Sequence, residues 1–127
     1  MAEITELTDA TFGDVVFKSP EPVLVQFWAP WSKACLLADP PLEAAVRTFS
    51  GEIRLLRLNV EENPMAATVY GVRSIPLLIL FRQGEEFAQW AGPIPKDEVI
   101  ARLRAAREQW HKPSPPDRGT GQDTLPA

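Results

Sequence analysis

Two stretches are apolar almost without interruption, Val23-Leu24-Val25-Gln26-Phe27-Trp28 and Leu77-Leu78-Ile79-Leu80-Phe81. Short runs of this kind, rich in branched and aromatic residues, predict central strands covered on both faces. Ile53 to Val60 reads differently. Ile53, Leu55, Leu56, Leu58 and Val60 are interleaved with Arg54, Arg57 and Asn59, the pattern of a strand with a partly polar face. Gln83-Gly84 turns the second apolar run into Glu86 to Ala91, which predicts a β-hairpin.

The remaining stretches carry helical spacing. Phe12, Val15 and Val16 predict a short helix from Asp9 to Phe17 capped by Thr8, with Asp9 in its first turn. A longer helix is expected from Lys33 to Phe49, with Ser32 as N-cap, Gly51 as stop and a kink at Pro40-Pro41. Asn63-Pro64 opens a short helix, with Asn63 as cap, that ends at Tyr70-Gly71. Lys96 to Trp110 forms the last, with Val99, Ile100 and Leu103 inward and Arg102, Arg104 and Arg107 towards its C-terminal half. Ser19-Pro20-Glu21-Pro22 and Gly92-Pro93-Ile94-Pro95 interrupt regular structure. Helices alternating with strands, then a hairpin and a final helix, imply an α/β domain with a central mixed β-sheet flanked by helices on both faces. That domain spans residues 1–110. Residues 111–127, rich in Pro, Gly and polar residues, read as a disordered tail.

Composition narrows the function. The 127 residues carry a net charge of −4, which gives no support for a nucleic-acid partner. No apolar run reaches the roughly 20 residues that span a bilayer, so no membrane partner is expected. Met1-Ala2-Glu3-Ile4-Thr5-Glu6 has neither a basic cap nor an apolar core of a secretory signal, and a cytoplasmic location is expected. The single cysteine rules out an internal disulfide and suits a reducing compartment.

Chemistry in α/β folds concentrates where the carboxyl end of a strand meets a helix N-terminus. Here that junction is Trp31-Ser32-Lys33-Ala34-Cys35. Ser32 is among the best N-cap residue types, and an alcohol forms no S–S bond. A serine nucleophile needs a positioned base, and the only histidine, His111, lies at the edge of the expected disordered tail. Cys35 reads either as a small buried hydrophobe or as a monothiol capable of mixed disulfides. One thiol without a His or Cys cluster implies no metal, and no cofactor is implied. Lys33 is unfavourable at a helix N-terminus but attracts an acidic partner. Trp90 reads as core or as a surface anchor, and Trp110 as folding back onto the last helix.

Phe27-Trp28-Ala29-Pro30-Trp31, Cys35, Pro40, Leu58-Asn59-Val60, Asn63-Pro64, Tyr70-Gly71-Val72, Ile75-Pro76, Phe81, Gly84-Glu85 and Gly92 together resemble the thioredoxin family, from about Leu7 to Leu103. The resemblance implies a thioredoxin fold and a place in thiol–disulfide chemistry and cell redox homeostasis. In that family two cysteines open the helix. The first attacks a substrate disulfide and the second resolves the mixed disulfide, assisted by a buried aspartate and a nearby lysine. A cis-proline opposite them lies beside the substrate's extended segment. Mapped onto this chain, the first cysteine is Ser32, the second is Cys35, the aspartate is Gln26 and the lysine is Arg57. Gln26 is expected to hydrogen-bond without titrating. Pro76, preceded by Ser74 and Ile75, is the expected cis-proline. Trp31, Lys33, Ala34, Ser74, Ile75, Pro76, Gly92 and Pro93 are the expected groove.

Two functions follow from this pattern. The first is a monomeric thioredoxin-like protein with a degenerate SxxC site that binds extended peptide segments or partner proteins without dithiol turnover. The second is a protein-disulfide oxidoreductase, seen as a Cys-to-Ser variant or acting through Cys35 alone, with a Cys35-linked dimer on oxidation. Ser32 by itself fits an exchanged cysteine. Ser32 with Gln26 and Arg57 fits natural loss of the redox site.

Overall fold

A computed structural model describes residues 5–111, with side chains as far as residue 109. The elements are β1 (Thr5–Leu7), β2 (Val23–Trp28), α1 (Lys33–Arg47), β3 (Arg54–Asn59), α2 (Pro64–Val69), β4 (Leu77–Arg82), β5 (Glu85–Ala91) and α3 (Lys96–His111). They build one five-stranded sheet in the order β1-β3-β2-β4-β5. β1 and β2 run parallel to β3, whereas β4 is antiparallel to β2 and β5 to β4. The two apolar runs are therefore the two central neighbours β2 and β4, as continuous hydrophobicity requires of strands covered on both faces. Among the described residues no helix is long and apolar enough to cross a membrane.

Alternation along the strands divides the core in two. One face gathers Leu7, Val23, Val25, Phe27, Leu56, Leu58, Ile79 and Phe81 under Phe12, Val16 and Ala66 of α2. The other gathers Leu24, Leu78 and Leu80 under Leu42, Ala45 and Val46 of α1 and Val99, Leu103 and Ala106 of α3. Trp90 is partly buried against this second cluster, between the core and surface alternatives, with the Arg102 guanidinium 6.0 Å from its ring.

Several boundaries differ from the sequence expectations, each for a local reason. The helix expected over Asp9–Phe17 is only a single π-helical turn, Gly13–Phe17. Thr8 and Thr11 instead bond each other's backbone and hydroxyl groups just before it. Asp9 does not serve that turn. Its carboxylate accepts from Met65 N at 3.1 Å and Ala66 N at 2.9 Å, capping α2 from 56 and 57 residues away. Asn63, expected to cap α2, makes no side-chain bond to its own helix. Its Oδ1 accepts from Asp9 N and its Nδ2 donates to Asn59 O, locking the two segments together.

Helix α1 runs through Pro40 and Pro41 as one element and stops at Arg47, two residues short of the expected end. The chain then leaves through Ser50 and Gly51 at positive φ, 52° and 84°. His111, assigned to the tail from sequence, is the last residue of α3. The Trp110 side chain and residues 112–127 lie outside the described residues.

Candidate functional site

The junction after β2 is a turn closed by Ser32 N donating to Ala29 O at 3.1 Å. Pro30 stands at the second turn position, where its restricted φ is preorganised. Ser32 then caps α1. Its backbone is extended (φ −91°, ψ 113°), and its Oγ accepts from Cys35 N at 3.3 Å. Its carbonyl begins the helical ladder by accepting from Leu36 N. Such a cap contributes about 1 kcal/mol over alanine. The hydroxyl is thus occupied with helix backbone, and Ser32 is only 7% exposed.

Cys35, one turn in, is a free thiol and 1% exposed. Both sequence readings of Cys35 allow burial, but the burial limits the access that thiol exchange requires. Lys33 is exposed and Ala34 half-buried beside it. Trp31 is 66% exposed, and its indole N–H donates to the Glu61 carboxylate.

On the opposite side, the Ile75–Pro76 peptide bond is cis. Pro76 is buried, Ile75 half-buried and Ser74 exposed. Gly92 N donates to Pro76 O at 2.9 Å, continuing the β4–β5 pairing one step past Leu77 and Ala91. Gly92 holds φ +86°, a region that favours glycine, and Pro93 follows on the surface. The structure therefore brings Pro76 and Gly92 together.

Beneath them a small pocket is lined by Gln26, Pro76, Leu78, Gly92, Ala38 and Val99, among others, with room for about one water molecule. Gln26 is fully buried, yet neither its Oε1 nor its Nε2 has a hydrogen-bond partner among the described residues. Gln26, expected to hydrogen-bond without titrating, therefore finds no partner among the protein groups described around it. The physical reason lies in its neighbours. Leu78 stands opposite on β4, and Ala38 and Leu42 of α1 supply only aliphatic surface. A buried amide with no partner at all would cost about 1–3 kcal/mol, and none of the side chains lining the pocket can offset that.

Arg57 stands opposite Gln26 on β3, but its guanidinium turns away. Its Nε lies 2.9 Å from Glu6 Oε2 on β1, and its NH1 donates to Asp39 Oδ2 of α1 at 3.3 Å. The guanidinium also stacks 3.8 Å from the centre of the Trp28 ring. Cation–π stacking suits the planar guanidinium better than an ammonium. Burial raises the Glu6 carboxyl above its ordinary range, and the Arg57 charge only partly opposes this. Asp39 and Glu6 were missed in the sequence. Asp39 had one available signal, its place one helical turn after Cys35. Glu6 is matched to Arg57 only through the β1–β3 register.

The comparisons with known proteins agree with this architecture. The family model described as Thioredoxin matches residues 3–105. Thioredoxin 1 of Nostoc sp. is 38% identical over 103 residues, covering 81% of this chain and 96% of that protein. The thioredoxin of Haemophilus influenzae is 36% identical over 99 residues, 78% of this chain and 92% of its own length. The chloroplastic M-type thioredoxin of Pisum sativum is 37% identical over 94 residues, covering 74% of this chain and 55% of that protein.

Proposed function

The chain belongs to the thioredoxin family, and we propose that it is a member whose site binds extended protein segments without dithiol turnover. The observation that carries this reading is the state of Ser32. Where disulfide chemistry needs a sulfur at the helix start, this chain has a buried hydroxyl already accepting from Cys35 N. With one cysteine in the 127 residues, no disulfide can form between positions 32 and 35. The titratable carboxylate that the family resemblance implies beneath the pair is also replaced, by the amide of Gln26.

The recognition surface is nevertheless retained. Exposed Trp31 offers an amphipathic ring on one side, and Ser74, Ile75 and Pro93 flank the Pro76–Gly92 pair on the other. An extended partner segment lies between them and pairs with backbone ahead of Pro76, a form of strand addition. Lys33 beside this groove favours acidic partner residues.

Family membership also favours a second reading, disulfide exchange through Cys35 alone. In that step the Cys35 thiolate attacks a partner disulfide, forms a mixed disulfide and releases the other partner sulfur as a thiolate. An external thiol must then resolve it. The 1% exposure of Cys35 weighs against this reading.

Insulin reduction with a dithiol reductant separates the two. The binding reading expects the uncatalysed rate, and turnover above that rate overturns it. Titration of ¹⁵N-labelled protein with extended acidic peptides should shift Trp31, Ile75 and Gly92 resonances. Trp31→Ala should weaken that binding roughly tenfold or more, as truncation of an aromatic anchor does. A Ser32→Cys variant reaching a thioredoxin-like rate would show that the surrounding site remains redox-competent. A persistently slow Ser32→Cys variant would mark Gln26 and Arg57 as parts of a dismantled site.

A further inference from the structure

We infer that the Gln26 pocket is a binding site for one internal water molecule, which joins the Gln26 carboxamide to the Pro76 carbonyl. Three observations converge on it, and none depends on the function proposed above. The Gln26 side chain is 0% exposed, and both of its polar atoms are without partners among the described residues. The pocket it lines has space for about one water and no more, too little for a peptide side chain. The side chains around it, from Ala38, Leu42, Pro76, Leu78, Ile94 and Val99, supply no hydrogen-bonding group.

The occupant must therefore be small, neutral and able both to donate and to accept. Water meets all three conditions. It accepts from Gln26 Nε2 and donates to Pro76 O, whose carbonyl uses only one lone pair on Gly92 N. The water thereby links strand β2, directly beneath the Ser32–Cys35 turn, to the Pro76–Gly92 pair at the edge of the groove. It gives Gln26 a positioning role that does not change with pH, because neither partner titrates. An apolar residue at position 26 would remove that link while filling the same space.

Water-selective NOE and ROE spectra of the ¹⁵N-labelled full chain test the site. Cross-relaxation is told from proton exchange by the opposite signs of its NOE and ROE peaks. Direct water peaks are expected at the Gln26 side-chain amide and at the methyl groups of Leu78 and Val99. A well-resolved Gln26 amide without them overturns the site. In Gln26→Met the methyl–water peaks should vanish and Gly92 amide exchange should speed up several-fold. Persisting methyl–water peaks, or unchanged Gly92 exchange, would overturn the role of Gln26 in holding the water. The measurement on the unaltered chain is decisive by itself if that variant does not fold.

Discussion

One face of the sheet is sealed by Leu7, Val25, Phe27, Leu56, Leu58, Ile79 and Phe81 under Phe12, Val16 and Ala66, with no polar side chain among them. The other face, equally well covered by α1 and α3, is crossed by a row that begins Glu6, Arg57, Gln26 and then becomes apolar at Leu78. Both faces belong to the same five strands, so strand propensity does not explain the difference. The polar row lies on the side where α1 begins at Ser32 and where Pro76 meets Gly92. Polar groups are costly to bury, and here they are concentrated on the face that supports the groove. The first face thus serves stability, whereas the second gives up some stability to polar groups near the site.

The contrast predicts a graded set of responses. Phe27→Ala, on the sealed face at 0% exposure, should destabilise the chain most, by about 3–5 kcal/mol in denaturant unfolding. A loss below about 1 kcal/mol would mean that this face is not the tighter one. Asp39→Ala should cost about 1–2 kcal/mol, because Arg57 is only 15% exposed and loses one of two carboxylate partners. Adding Arg57→Met should recover most of that loss, since removing both partners avoids a half-paired charge. Failure to recover would show that the Trp28–Arg57 stack, rather than the ion pair, carries the energy.

Asp9→Ala should cost about 1 kcal/mol by uncapping α2, with Met65 and Ala66 amides exchanging faster and the polar row unaffected. The smallest effect is that of pH. The Glu6 carboxyl is raised on folding, burial outweighing Arg57, so the folded state binds its proton more tightly than the unfolded state. Stability contributed at Glu6 is therefore fullest below the ordinary value of 4.5 and falls as pH rises through the raised one. Urea titrations at several pH values should show this slope in the native chain and not in Glu6→Gln.

Much of the framework was legible because its causes are local. Continuous apolar runs named β2 and β4 as the central strands, Gln83-Gly84 marked the hairpin, and Ser32 announced the start of α1 through its own hydroxyl. Resemblance to the thioredoxin family placed Ser32, Cys35, Gln26 and Pro76 around one expected site. Asp9 was less legible, since its carboxylate can cap either a following turn or a helix 56 residues away, and only the fold brings the second within reach.

The sequence by itself determined the alternation of strands and helices, the missing sulfur at position 32 and the presence of an amide at position 26. Those are properties of side chains and of periodicities over a few residues. Tertiary structure alone decided that Arg57 turns to Glu6, Asp39 and Trp28, and that Gln26 is left facing a pocket beside Pro76 and Gly92. Hydrogen-bond partners are chosen among groups from four different elements. Which of them lie within about 3 Å of one another is set by register and helix packing, which no local stretch of sequence contains.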